Sequence, residues 1–598
     1  MCGINGIVRL VDSSPAIDRD ELLRTRDAMT SRGPDGSGAW IADDGQVALA
    51  SRRLAILDLS AAGAQPMASE DGRFRIVLNG EIYNFGELRR GLESEGIRFR
   101  SRSDTEVVLA LYAREGAAML PRLRGMYGLA IWDGRERTLL LARDPLGIKP
   151  LYVSTEGGCL RFASQVKALE RGGGISLETD PAGVAGFLLW GSVPEPLTIR
   201  RAVRALPAGH CLTVRDGQVG EPVPIGSPEM TAMMEITEMT SAEAVEDSVR
   251  AHLVSDVPVA VFLSAGLDSG LIAALARRHL PEPPTTFTLR FDALEGTPQD
   301  EAPLAAEVAR RLGTRHVERR MGRTDLAELW PGAIAAMDQP SIDGFNTYLV
   351  SRAAHEAGLK VVLSGLGGDE IFGSYPSFAG VPRLERAARR AGRIPGLAAL
   401  WPPLAKALAG DRPKLAGLLR YGGTLPGAYF LRRGLFLPEE LPGLMGRDAA
   451  TEGLGRYDPV ADARRSLAAG NGHVPDAWTA VHVLETARYM RNQLLRDADW
   501  ASMAWSVELR VPLVDAWLRQ RLAVNRFEPA RSAGKATLVR QAAPELPEAV
   551  LARPKTGFYI PVAEWMRPEL AARRPGERSR WLAARVLEEF GVPGMVAR

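Results

Sequence analysis

The rhythm of apolar and polar positions changes once along the chain. Over residues 1–215, short runs rich in β-branched and aliphatic side chains predict strands at 47–57, 73–78, 127–133 and 138–144, the last two flanking a hairpin turn at 134–137. Helical spacing predicts helices at 20–30, 85–95 and 106–115. This mixture predicts strands packed against helices rather than a βαβ repeat. A turn-rich stretch at 217–228 marks a boundary, and the methionine-rich 230–239 takes no assignment. Beyond it strands and helices alternate: helix 242–253, strand 257–263, helix 271–279, strand 285–291, helix 302–312, strand 316–318, helix 347–356, strand 360–363. Such alternation predicts a doubly wound parallel sheet. Residues 382–455, rich in Ala, Leu and Arg, are expected to be helical, and the charged end beyond 575 loosely ordered.

Length and composition agree with this division. At roughly 100–200 residues per domain, 598 residues make several domains or two large ones. Apolar residues at 46% and charged residues at 24% exclude a disordered chain, a collagen-like repeat and a coiled coil. A net charge of +2 demands neither nucleic acid nor an anionic membrane. No apolar run approaches the ~18 residues of a membrane span, and residues 1–14 lack the regions of a signal peptide. Three cysteines, Cys2, Cys159 and Cys211, cannot build a disulfide framework, which fits the cytoplasm as the expected location. Seven scattered histidines suggest no zinc site.

Cys2 follows the initiator methionine, and small second residues permit its removal. A terminal cysteine then carries a thiol and its own α-amine, whose pKa of about 7.7–8.0 suits a general base. Alone this says little; its neighbours say more. Downstream lie Arg32-Gly33-Pro34-Asp35-Gly36, Arg53 in RRLAIL, Asn79-Gly80-Glu81-Ile82-Tyr83-Asn84, Ser103-Asp104-Thr105-Glu106, Arg124-Gly125-Met126-Tyr127 and Arg143-Asp144-Pro145-Leu146-Gly147. Together they resemble the class II, N-terminal-nucleophile glutamine amidotransferase domain over residues 2–215. The resemblance implies an αββα sandwich in which Cys2 attacks the glutamine side-chain amide. It implies that Asn79 and the Gly80 N–H form the oxyanion hole, that Arg53 holds the substrate carboxylate, and that Asp104 accepts from its ammonium. A plainer reading makes Asp104 the N-cap of the following helix.

In the second half, the strand ending at Leu263 runs into Ser264-Ala265-Gly266-Leu267-Asp268-Ser269-Gly270. A small-residue loop between strand and helix aims backbone N–H groups at an anion, and an aspartate inside it makes sense if a divalent metal bridges it to phosphate. The Gly-Lys-Ser/Thr ending of a Walker loop is absent. The loop resembles the pyrophosphate loop of the ATP-pyrophosphatase family. A second loop, Ser364-Gly365-Leu366-Gly367-Gly368-Asp369-Glu370, has the same form. With Asp300-Glu301, 494–515 and 553–561, these segments resemble the asparagine synthetase domain over 242–567. That resemblance implies that Leu263, Ser264, Gly266, Ser269, Leu289, Ser364 and Gly365 bind ATP, that Asp268 and Asp369 hold Mg2+, and that Lys555 neutralises charge as pyrophosphate leaves. Asp499, Glu508 and Arg510 read as an ion-pair network bracing the site.

The expected organisation is thus a glutaminase domain at 1–215, a linker at 216–241, an ATP-pyrophosphatase-type synthetase domain with helical additions at 242–575, and a charged tail at 576–598. The whole chain resembles the glutamine-hydrolysing asparagine synthetase family. The resemblance implies ATP-dependent amidation of aspartate through an acyl-adenylate, with ammonia crossing an internal apolar tunnel. It implies small-molecule substrates (glutamine, ATP, aspartate or another acid), no organic prosthetic group, no nucleic-acid or membrane partner, and a homodimer as the expected assembly. Three alternatives stay open: amidation of another carboxylate on a peptide, sugar or secondary metabolite; an intramolecular cyclase; and a glutamine-sensing scaffold. Cys2 with Asn79-Gly80 argues against the cyclase, and Asp268, Asp369 and Lys555 argue against the scaffold. The chain departs from the family at Leu366, where a glutamate is usual, at Gly368, at Arg290 and at Trp500. Leucine can neither take a proton nor pair with an amine, so Asp338 or Asp343 is the expected replacement if aspartate is the acceptor.

Overall fold

The computed structural model describes residues 2–11, 13–226, 239–397, 400–401, 403, 413–468, 476–524, 531, 534–553, 562–567, 569–570 and 573–592. Lys555 and most of the methionine-rich stretch lie outside the described residues.

Two antiparallel sheets lie face to face in the first half. One runs in the order Arg204–Ala205, Tyr152–Ser154, Cys159–Ala163, Cys2–Arg9, Val47–Arg53, Gly36–Ile41. The other runs Gln218–Val219, His210–Arg215, Thr138–Arg143, Gly125–Asp133, Phe74–Ile82, Met67–Ala68, with Val223–Pro224 beside His210–Arg215. Side chains alternate faces along a strand, and both faces here are apolar. Cys2, Ile4 and Val8 pack between the sheets against Val77, Ala130 and Leu141. Ile7 turns outward onto Leu22 of helix Arg19–Asp27. On the far side Ile76, Leu78 and Leu129 pack under helices Phe85–Ser94 and Asp104–Glu115. The result is the expected αββα sandwich. It extends beyond 215, because two short strands of the expected linker pair with His210–Arg215.

The second half holds a five-stranded, wholly parallel sheet in the order Arg315–Met321, Thr285–Phe291, Val259–Phe262, Val361–Leu363, Glu508–Arg510. The strand order reverses direction at Val259–Phe262. Ligands of doubly wound sheets bind beyond the carboxyl ends of strands at such a switch, and here those ends carry the loops 264–270 and 364–370. Helices Leu267–His279, Ala302–Leu312, Phe345–Glu356 and Arg496–Met503 pack on the sheet, while Ser377–Ala391, Leu425–Arg433 and Ala477–Leu484 pack on one another in a core of their own. Glu485–Leu495 is an 11-residue π-helix. The end of the chain departs from expectation. Residues 575–589 form the helix Pro575–Glu589, whose Leu582, Ala583, Val586 and Leu587 are buried in a core shared with Phe436 and Trp330. The apolar face docks, and Arg580 joins it by stacking on Phe436 and pairing with Glu440.

Candidate functional site

Strand pairing builds the first site. Cys2 lies opposite Arg53 in the register of its sheet. The facing sheet supplies Asn79, whose Oδ1 accepts from the Cys2 N–H at 3.1 Å. Asn79 is fully buried, and its Nδ2 has no hydrogen-bond partner among the described residues. A buried amide donor left unpaired is costly, and this one belongs to the side chain that holds the Cys2 N–H. Gly80 stands at φ +146°, and a Cβ there would meet the Met126 carbonyl oxygen at 1.9 Å, so no side chain fits. Burial pushes the Cys2 thiol up, while the Leu54 N–H and Arg53 act the other way.

The other two expected glutamine contacts are engaged within the protein. The Arg53 guanidinium donates to the carbonyls of Ser60 at 2.9 Å, Leu57 at 3.2 Å and Asp58. Asp104 is buried and accepts from Ile82 N–H at 2.9 Å, and burial pushes its carboxyl up. The helix cap is Ser103, whose Oγ accepts from Thr105 N–H, and not Asp104. Sequence reasoning gave no role to Glu81, a buried carboxylate whose Oε2 has no hydrogen-bond partner among the described residues and lies 4.0 Å from Arg510 Nη2; burial, Glu508 and Asp104 hold its carboxyl well above the ordinary range.

The two loops of the synthetase half close on each other. Ser269 Oγ accepts from Ser264 N–H at 3.0 Å and lies 2.8 Å from Ser264 Oγ, which accepts from Gly266 N–H. Asp268 sits in the first turn of helix Leu267–His279 against the second loop. A Cβ on Gly365 would meet the Asp268 Cβ at 2.8 Å, and one on Gly368 would meet its Oδ1 at 2.1 Å. Ser364 continues its strand, donating to Arg510 O at 2.9 Å. Leu263 and Leu289 are buried at the ends of neighbouring strands.

Asp268 and Asp369 converge. Both accept from Nζ of Lys535, Asp369 at 2.9 Å. Burial works against the ammonium, but the two carboxylates outweigh it and hold it above the ordinary lysine range. Two carboxylates gathered around one cation fit a site for Mg2+ and the phosphates it bridges. Sequence reasoning missed Lys535. One signal was available: the chain keeps only seven lysines among 74 basic residues, so each is a candidate for chemistry that arginine cannot perform.

The expected bracing network is divided. Arg510 pairs with Glu508 at 2.5 Å. Asp499 instead reaches the glutaminase half, where it pairs with Arg32 and with Lys149. Of the proposed replacements for the loop glutamate, Asp338 is spent on structure: its carboxylate accepts from Val166 N–H and Lys167 N–H and so caps helix Val166–Gly172 of the other half. Asp343 lines a cavity of about 370 Å3 beside the π-helix. Leu366 packs on the apolar core. Arg290 pairs with Glu295 near the surface, and the Trp500 indole donates to Asp497 at 2.8 Å.

Residues 1–222 match the glutamine amidotransferase domain, and residues 240–579 match asparagine synthase. Glutamine-hydrolysing asparagine synthetase 1 of Bacillus subtilis is 31% identical over 95% of this chain and 88% of its own length. Glutamine-hydrolysing asparagine synthetase B of Escherichia coli is 32% identical over 64% of this chain and 66% of its own. Amidase chry2 of Gibberella zeae is 31% identical over 63% and 60%. Among the described residues no helix is long and apolar enough to cross a membrane. The chain is a carbon–nitrogen ligase with glutamine as amide donor, and it belongs to the glutamine-hydrolysing asparagine synthetase family.

Proposed function

We propose that the chain makes asparagine from aspartate, glutamine and ATP. The observation that carries this reading is that both half-sites are assembled in one chain: Cys2 beside the unpaired Asn79 amide, and Asp268 with Asp369 around Lys535.

In the first half-reaction the Cys2 thiol loses its proton to its own α-amine and attacks the glutamine amide carbon. Asn79 Nδ2 and the Gly80 N–H donate to the oxyanion. Arg53 and Asp104 hold the α-carboxylate and α-ammonium of glutamine. Collapse of the tetrahedral intermediate breaks the C–N bond, and the leaving nitrogen departs as ammonia. Water then cleaves the thioester to glutamate.

In the second, a carboxylate oxygen of aspartate attacks the α-phosphorus of ATP, and the bond to pyrophosphate breaks. Asp268 and Asp369 would hold Mg2+, which when bound offsets the triphosphate charge. Leu263, Gly266, Leu289 and Gly365 line the nucleotide site, and Ser264, Ser269 and Ser364 donate to it. Lys535, and Lys555 with it, supplies positive charge as pyrophosphate leaves. Ammonia then attacks the acyl-adenylate carbon, AMP leaves, and the amide forms.

The test is to supply aspartate, glutamine, ATP and Mg2+ and to measure products. Asparagine, AMP, pyrophosphate and glutamate in equal amounts are expected. ADP with inorganic phosphate would mean an acyl-phosphate mechanism. Leu366 favours a second reading, in which the acceptor is a different acid. Glutaminase activity with no response to millimolar aspartate would select it.

A further inference from the structure

The cavity of about 370 Å3 lies within the size range of small-molecule sites. One wall is the π-helix Glu485–Leu495, which contributes Arg488, Tyr489, Asn492 and Gln493. Elements of this kind are rare and recur at functional sites. Another wall is Ile342 and Asp343. The cavity backs onto the phosphate loop: the Tyr489 ring meets Tyr375 at 5.8 Å, and the Tyr375 hydroxyl donates at 2.9 Å to Glu370, the residue after Asp369.

Its charges are laid out for a molecule bearing both signs. Arg433 is fixed between the rings of Tyr375 and Tyr489 and paired with Glu485 at 2.9 Å. Arg488 is paired with Asp462. Arg488 is spent on Asp462 and Ser466, whereas Arg433 keeps its Nη1 outside the pair with Glu485, and Lys414 also lines the cavity. Asp343 is the cavity's one acidic side chain among the described residues. Its Oδ1 accepts from Gly344 N–H at 2.8 Å, which leaves its second oxygen without a protein donor there.

We propose that this cavity receives the acceptor acid, and that Asp343 determines its specificity by holding the α-ammonium of an amino acid while the arginine side receives a carboxylate. The inference rests on the adenylating reading above and deepens it. Asp343 supplies from a neighbouring loop the carboxylate that Leu366 cannot. An ammonium on a carboxylate makes a charge-assisted hydrogen bond. An acid lacking the amine would face Asp343 with no counter-charge and be rejected.

The test measures pyrophosphate release from ATP with Mg2+ and a panel of pairs: aspartate against succinate, and glutamate against glutarate. The wild-type enzyme should prefer the amino member of its pair by about 10- to 100-fold in kcat/KM. Asp343→Asn should raise KM for the amino acid by about tenfold or more and erase most of that preference, with a smaller change in kcat. Glutamine hydrolysis by the same preparation reports on folding. Equal response to amino and des-amino acids, response to des-amino acids alone, response to none of the four, or an Asp343→Asn variant with unchanged KM and unchanged preference would each overturn the proposal. A clear preference for glutamate over aspartate would uphold the role of Asp343 and sink the aspartate reading. If the variant does not fold, the wild-type panel still decides.

Discussion

Arg32 lays two guanidinium nitrogens on the carboxylate of Asp499, at 2.6 and 3.1 Å, and turns its Nε onto the carbonyl of Cys2 at 3.3 Å. Arg32 and Asp499 are buried, and they come from different halves of the chain. The residue that steadies the Cys2 backbone is therefore itself steadied by the synthetase half. Asp499→Asn should lower glutaminase activity about tenfold or more, since small misplacements of a reacting group are costly. It should also cost about 3–5 kcal/mol of stability, because it leaves a buried guanidinium without its counter-charge. Wild-type glutamine hydrolysis by a folded Asp499→Asn protein would show that Arg32 needs no such partner.

Cys2→Ala should abolish glutamine hydrolysis and leave synthesis from ammonium salts, because the thiol serves one half-reaction only. Mass spectrometry of active enzyme should find Cys2 as the first residue. A retained methionine would rule out the α-amine as base.

Lys535→Met should reduce acceptor-dependent pyrophosphate release about 100-fold or more while glutaminase activity persists. The substitution also leaves Asp268 and Asp369 without their shared cation. Mg2+ should therefore raise the melting temperature of the variant more than that of the wild type. Equal shifts would mean that the two aspartates do not share one cation site.

Asp497 gives a pH signature. Burial, then the charge of Asp343, pushes its carboxyl up to about 7, against about 3.9 in an unfolded chain. The folded state holds the proton more tightly, so the contribution is favourable below pH 4 and is lost as pH rises through 7. Asp497→Asn cannot ionise. Between pH 5 and pH 8 its stability relative to wild type should therefore improve, by about 2–3 kcal/mol at 1.36 kcal/mol per unit. A flat difference in denaturant midpoints across that range would remove the assignment.

What could be read from the sequence depended on range. Strand Thr285–Phe291 and helix Ala302–Leu312 keep their predicted bounds, because local periodicity and Gly313 set them. Helix Leu267–His279 begins four residues before its predicted start, because the Leu267–Gly270 turn reads as loop yet already closes helical hydrogen bonds. Cys2, Asn79-Gly80 and the loops 264–270 and 364–370 stand out in the sequence as compact motifs. The π-helix was not, since Glu485–Leu495 carries ordinary helix-forming residues and its register is set by packing. Lys535 lies 267 residues from Asp268, and no local pattern announces that meeting.

The 467 residues between Arg32 and Asp499 also set an order in time. At about 5–20 residues per second, a ribosome delivers Asp499 about 25–90 s after Arg32. During that interval the emerging chain already carries its thiol, yet the guanidinium beneath it has no anion to settle on. If Asp499→Asn lowers glutamine hydrolysis as expected, release of ammonia is tied to the arrival of the half that consumes it, and an unfinished chain is a poor source of a reactive gas.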